Sequence, residues 1–219
     1  FFSTDPKAEK LLSYYLMLET DMANEYQSLQ ANVDRLISLV GSVTDVVNSQ
    51  RNFTGRSLIS SDMPLEDIVD EALSMMHNII HTNNVEIVKS FQPIPMIELQ
   101  KSKLIHIIVN LIRNSVESMI ESEVTQKRII ISITSDEKNV YLSLKDNGMG
   151  IPPENLIKIF NHGFTTKKTG YGFGLHSCAN YMDEMKGSIR AESDGFENGA
   201  TFVLEFPIYT QQNSKLKPN

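Results

Sequence analysis

Hydrophobic positions in the first fifty residues recur at steps of three and four. Between Lys7 and Glu19 they are Leu11, Leu12, Tyr14, Tyr15 and Leu18, and from Met22 to Arg51 they are Leu29, Val33, Leu36, Ile37, Val40, Val43 and Val47. This spacing predicts helices with one apolar face. Thr20 and Asp21 read as the end of the first and the cap of the second. A long helix cannot bury such a stripe alone. Two antiparallel helices from each of two chains are expected to make a four-helix bundle. The alternative is a helix packed on its own domain.

Residues 53–62 gather glycine, serine and aspartate and read as a linker. Beyond them the pattern predicts helices over Leu65–His81, Leu99–Ser122 and Leu175–Met185, and a strand over Val85–Phe91. Arg128–Thr134 and Val140–Lys145 alternate as two adjacent strands joined by a polar turn. A short helix is expected at Pro153, where proline suits a first turn. Ser188–Ser193 and Ala200–Phe206 read as a closing hairpin around Gly195–Gly199. Strands in pairs with helices between them predict an α+β two-layer sandwich, not a doubly wound sheet. The expected organisation is a helical segment 1–52, a linker 53–62, a second domain 63–207 and a polar, fraying tail 208–219.

Composition narrows the function classes. The 219 residues are 41% hydrophobic and 21% charged, as in ordinary globular proteins. The formal net charge is -7 and no basic stripe is present, so nucleic acid is not an expected partner. No apolar run approaches the roughly 18 residues that span a bilayer. The longest, Leu104–Ile112, is interrupted by His106 and Asn110, and no membrane contact or secretory signal is expected. Cys178 is the sole cysteine, which excludes an intrachain disulfide and suits a reducing cytoplasm. It reads as a small buried residue on a helix. The chain opens at Phe1 and reads as a piece of a longer protein.

Three stretches of the second domain carry candidate chemistry. Asn110 and Asn114 lie four apart on one helix face. Their amide oxygens are hard ligands of the kind Mg2+ takes, although asparagines on a helix are more often a polar face. Asp146-Asn147-Gly148-Met149-Gly150 follows a strand. A carboxylate there can accept from an exocyclic amine such as that of adenine, and its glycines admit a close backbone approach; an ordinary turn is the alternative. Gly170-Tyr171-Gly172-Phe173-Gly174-Leu175-His176 leads into a helix, where backbone N–H groups can cradle phosphates. Its glycines fall at steps of two after a loop, which disfavours a nicotinamide fingerprint. Between the last two stretches, Phe160, Phe164, Thr165, Thr166, Lys167 and Lys168 suggest a lid with apolar anchors and cationic ends.

The order of asparagine helix, Asp-x-Gly-x-Gly, Phe-rich loop and Gly-x-Gly-x-Gly-Leu resembles the catalytic domain of bacterial sensor histidine kinases, within the GHKL group of ATP-binding folds. The resemblance covers Met63–Pro207 and, more loosely, the helices before it. It implies a mixed sheet covered by three main helices, with ATP and Mg2+ as ligands. Asp146 would bind the adenine amine, with Thr201 supporting it through water. Asn110 and Asn114 would hold Mg2+ on the phosphates. Gly148, Gly150, Gly170, Tyr171, Gly172, Gly174, Leu175 and His176 would surround the nucleotide, with Thr166 and Lys167 at the phosphates and Phe160 and Phe164 anchoring the lid. His106 matches a histidine one turn before the first asparagine and would be structural or a nucleotide neighbour.

Other branches of the group, the gyrase, mismatch-repair and heat-shock-chaperone ATPases, carry glutamate where Asn110 stands. A carboxylate there can activate water; an amide cannot. The same position disfavours the mitochondrial protein kinases and anti-sigma kinases. The resemblance therefore implies transfer of the ATP γ-phosphate to a histidine of a dimerisation domain, and onward to a response regulator receiver domain. It further implies a homodimer through the N-terminal helices, in the cytoplasm or in the cytoplasmic part of a membrane-bound sensor. The phosphoacceptor itself is missing: the first histidine is His77. Lys7–Glu19 would then be the tail of the first bundle helix, and this chain is expected not to phosphorylate itself. The alternatives are a regulatory nucleotide-binding module and an ATPase of the same fold group.

Overall fold

The computed structural model describes residues 7, 10, 12–19, 21, 22, 25, 64–167 and 172–208. The chain divides into two units, Phe1–Ser57 and Leu58–Asn219. In the first, residues 12–19 are helical, and Leu12, Tyr14, Tyr15, Leu16, Met17 and Leu18 are exposed. Asp21, expected to cap a second helix, is itself helical. Most of the helix expected over Met22–Arg51 lies outside the described residues, as do the linker 53–62, the tail beyond Ile208 and the four-helix bundle. Among the described residues no helix is long and apolar enough to cross a membrane.

The second unit runs α1 (Leu65–Met75), α2 (His77–Thr82), β1 (Glu86–Phe91), α3 (Lys101–Glu121), β2 (Arg128–Ser135) and β3 (Asn139–Asp146). Two 3-10 turns follow, Pro153–Asn155 and Lys158–Phe160, then α4 (Gly174–Glu184), β4 (Ser188–Glu192) and β5 (Thr201–Pro207). The strands form one sheet in the order β1-β2-β3-β5-β4. β1 and β2 are parallel and the other pairs antiparallel, so the sheet is mixed. Both predicted strand pairs are present. The β2–β3 turn is set by Asp136, whose Oδ1 accepts from the backbone N–H of Lys138 at 2.7 Å and of Asn139 at 2.8 Å.

The pleat sends alternate side chains to one face. Ile129, Ile131 and Ile133 of β2 are buried, with Val140, Leu142 and Leu144 of β3 and Phe202, Leu204 and Phe206 of β5. They form one core with the apolar stripes of α1, α3 and α4. Cutting Ile131 back to alanine would cost about 2–5 kcal/mol.

The helix predicted over Leu65–His81 is two helices. Met76 leaves the helix and is buried, its N–H shared between the carbonyls of Ala72 and Leu73. The new register turns Ile79 and Ile80 toward the core. His77 and His81 are exposed, with their rings 5.8 Å apart.

Candidate functional site

Helix α3 is the spine of the site. Its stripe Leu104, Ile107, Ile108, Leu111, Ile112, Ser115, Val116 and Met119 is buried against the sheet. Asn110, Asn114 and Glu117 follow one another at steps of four and three, so they share the edge of that stripe, half-buried. The Nδ2 of Asn114 donates to Oδ1 of Asn110 at 3.0 Å.

Asp146 ends β3 in the register that buries Val140, Leu142 and Leu144, so the pleat places a carboxylate at the next core position. It is 3% exposed. Its Oδ1 accepts from the backbone N–H of Gly148 at 2.9 Å and of Ala200 at 3.2 Å, and its Oδ2 from Ser115 Oγ at 2.9 Å. Burial raises the Asp146 pKa above the ordinary carboxylate value, and the three donors pull it partly back. A carboxylate offers about four acceptor positions, so Oδ2 retains capacity for one more donor.

The loop after Asp146 is pressed onto α3. Ser118 Oγ accepts from the Met149 N–H at 2.9 Å. A Cβ at Gly148 would collide with the Ser118 side chain, so only glycine permits this approach. From the other side, the Gly199 N–H donates to the Gly148 carbonyl at 3.0 Å. Ser193 Oγ donates to the Gly199 carbonyl at 2.7 Å and accepts from the Ile151 N–H at 3.0 Å. Thr201 opens β5 opposite Lys145, half-buried and next to Ala200.

The start of α4 closes against Asn110. A Cβ at Gly174 would strike the Asn110 amide. The N–H groups of this first turn have no partners within the helix, and the positive end of its dipole lies there. Leu175 is half-buried against the core.

The segment between these walls returns on itself. Phe160 packs on the core and Phe164 is half-buried. The Gly163 N–H donates to the Gly172 carbonyl at 3.1 Å. Both ring nitrogens of His176 are engaged, Nδ1 3.1 Å from the Phe160 carbonyl and Nε2 3.3 Å from Asn180 Nδ2. Its ring stands edge-on to His162, with centroids 5.2 Å apart. Thr166 is exposed, and Lys167 pairs with Glu117. Lys168, Gly170 and Tyr171 lie outside the described residues. His106 is exposed on α3, edge-on to Tyr181 at 5.4 Å.

Asp146, Gly148, Asn110, Asn114, Gly174 and Lys167 are thus gathered around α3. Sequence reasoning missed Ser115, Ser118, Glu117, Ser193 and Gly199. The one legible signal among them was Ser115, a hydroxyl at a buried position of an apolar stripe.

Residues 100–210 match the family described as histidine kinase-, DNA gyrase B-, and HSP90-like ATPase. The chain is 38% identical over 114 residues to the sensor protein CitS of Halalkalibacterium halodurans, covering 52% of this chain and 21% of CitS. It is 27% identical over 195 residues to sporulation kinase A of Bacillus subtilis, covering 88% of this chain and 30% of that kinase. The chain therefore spans less than a third of either relative. The solved catalytic domain of histidine kinase ThkA superposes with a TM-score of 0.60 at 27% identity, over 68% of this chain and 95% of that one. ThkA solved in complex with response regulator protein TrrA shares the fold, with a TM-score of 0.57 at 23% identity over 77% of this chain and 48% of that one.

Proposed function

This chain belongs to the family of histidine kinase-, DNA gyrase B- and HSP90-like ATPases, and we propose that its second unit binds ATP with Mg2+ as the catalytic part of a sensor histidine kinase. One observation carries this reading. A single helix, α3, supports the buried Asp146 through Ser115 and presents Asn114 and Asn110 within the preceding turn and a half. Asp146 Oδ2 would accept from the adenine amine, with Thr201 assisting through water. Asn110 and Asn114 would hold Mg2+. Their oxygens suit a hard cation, and the ammonium of Lys167 already lies 3.3 Å from Asn114 Oδ1. The metal would neutralise charge between the phosphates.

Gly148, Gly150, Gly172, Gly174 and Leu175, with Gly170 and Tyr171, would supply the backbone around the nucleotide. Thr166 and Lys167 would face the phosphates, with Phe160 and Phe164 anchoring the lid. His176 would serve at the base of the lid, where both its nitrogens are already engaged. In the reaction, an imidazole nitrogen of a dimerisation helix bonds to the γ-phosphorus as the bond to the β–γ bridging oxygen breaks, and ADP leaves. Asn110 takes no proton from water at neutral pH, which favours transfer over hydrolysis. A homodimer through the first unit, a cytoplasmic setting and a response regulator as acceptor belong to the same proposal, and the ThkA–TrrA complex supports the last by analogy of fold.

The test is incubation of the chain with γ-labelled ATP and Mg2+, alone and with a dimerisation domain that bears its phosphoacceptor histidine. Acid-labile label on the added domain, and none on this chain, is expected. Phosphate release without protein labelling would instead make it an ATPase. Acid-labile label on the chain alone would show that one of its five histidines is a nucleophile.

A further inference from the structure

Lys167 reaches from the lid to α3, fifty residues away in sequence, and ends between two side chains of that helix. Its ammonium donates to Glu117 Oε2 and lies 3.3 Å from Asn114 Oδ1. The lid backbone is shaped to deliver it, since the Lys167 N–H donates to Thr165 Oγ1 at 3.1 Å. Among the described residues, the pairs Lys89–Asp70, Arg128–Glu86 and Arg190–Glu192 join exposed side chains of elements other than α3. An isolated exposed pair holds little by itself. This one is distinguished by where it leaves the cation.

We infer that Glu117 is a positioning residue for the phosphate end of the site: it holds Lys167 beside Asn114, so that the lid carries its positive charge to the outermost phosphate of a nucleoside triphosphate. The inference rests on the nucleotide reading given above and adds a residue and a preference to it. Asn110, Asn114 and Glu117 share one helix edge, so a cation tethered at Glu117 sits one turn from the metal-suited amides. The triphosphate carries one more phosphate than the diphosphate, and that phosphate gains the charge-assisted bond. Glu117 thereby sets discrimination between ATP and ADP more than affinity for the adenosine part.

The opposite expectation is equally definite. If Glu117 were only a negative charge near the phosphates, its removal would strengthen binding of the more highly charged ligand. The sign of the Glu117→Gln effect therefore separates the two. The full chain is titrated by calorimetry with Mg2+ and either ADP or a non-hydrolysable ATP analogue. Glu117→Gln should lower affinity for the ATP analogue by about tenfold while ADP binding is unchanged, and Lys167→Met should lower affinity for the ATP analogue by a similar factor. The two losses should not add when combined. The exchanged pair, Glu117→Lys with Lys167→Glu, should recover most of the preference, because a cation again stands beside Asn114. Without nucleotide, hydrogen exchange at Phe164–Lys167 should quicken in Glu117→Gln.

Unchanged ADP binding shows that the Glu117→Gln variant is folded, and an unchanged urea midpoint shows the same for Lys167→Met. A wild-type chain that binds neither nucleotide would overturn the nucleotide reading and this inference with it. A wild-type chain that binds both, beside a Glu117→Gln variant with equal or stronger ATP preference, would overturn this inference alone.

Discussion

Ser115 and Asp146 are the two buried polar residues among the described ones, and they are bonded to each other, Oγ to Oδ2 at 2.9 Å. The bond ties the middle of α3 to the end of β3. It therefore couples the helix that carries the asparagines to the carboxylate proposed to read the base. Ser115→Ala removes one of three donors to a buried charge, which costs about 1.5–3 kcal/mol. Urea unfolding at pH 7 should show that loss, and it should shrink at acid pH as the carboxyl is neutralised.

Asp146→Asn should separate stability from binding. Burial raises the folded-state pKa of Asp146 above its ordinary value of 3.8, so ionisation of this group opposes folding. Its contribution is most favourable below pH 3.8 and is lost as pH rises through the raised value. The asparagine variant escapes that penalty while keeping an oxygen for Gly148 and Ala200. At pH 7 it should melt at or above the wild-type temperature, with the difference narrowing toward pH 4. Its nucleotide affinity should be largely lost. Thermal melts across pH, paired with calorimetry, check both halves.

Gly174→Ala tests the closeness of α4 to Asn110. The added Cβ meets the end of a flexible side chain, so Asn110 rotates and the fold survives. Alanine is also the better helix former, by up to about 1 kcal/mol. Stability should hold while the Mg2+-dependent part of ATP affinity falls, by roughly tenfold for one misplaced ligand. Titrations with and without Mg2+ show whether the loss lies in the metal-dependent part.

Cys178 lies fully buried on α4, where burial pushes its thiol up to about 12. At pH 8 the thiolate is scarce and inaccessible. Ellman's reagent should leave the native chain unlabelled and react with one thiol per chain in denaturant.

Much of this fold was legible because its signals are local. The β2–β3 and β4–β5 pairs announce themselves through alternation and polar turns, and the stripe of α3 through its period. The partner choices of the strands are not local. Nothing in Glu86–Phe91 says that it runs parallel to β2, or in Thr201–Pro207 that it inserts between β3 and β4. The break at Met76 carries no glycine or proline and follows from burial of that side chain. Asp146 was found as a residue at a strand end, yet its environment comes from the strand register and from Ser115, thirty-one residues earlier. Glu117 and Lys167 meet only because the lid folds back, and no spacing rule connects them.

Asp146 is proposed to read an amine on the base, and the base itself can be varied to test this. Inosine diphosphate differs from ADP in presenting a carbonyl oxygen where adenine presents its amino group. A carboxylate that accepts from the amine would face another acceptor instead. Losing a hydrogen bond to a charged group costs about 1.5–3 kcal/mol, or roughly 10- to 100-fold in affinity. Calorimetric titration of the chain with ADP and with inosine diphosphate, each with Mg2+, should show binding of the first and at least tenfold weaker binding of the second. Equal affinity for the two would show that Asp146 does not accept from the amine.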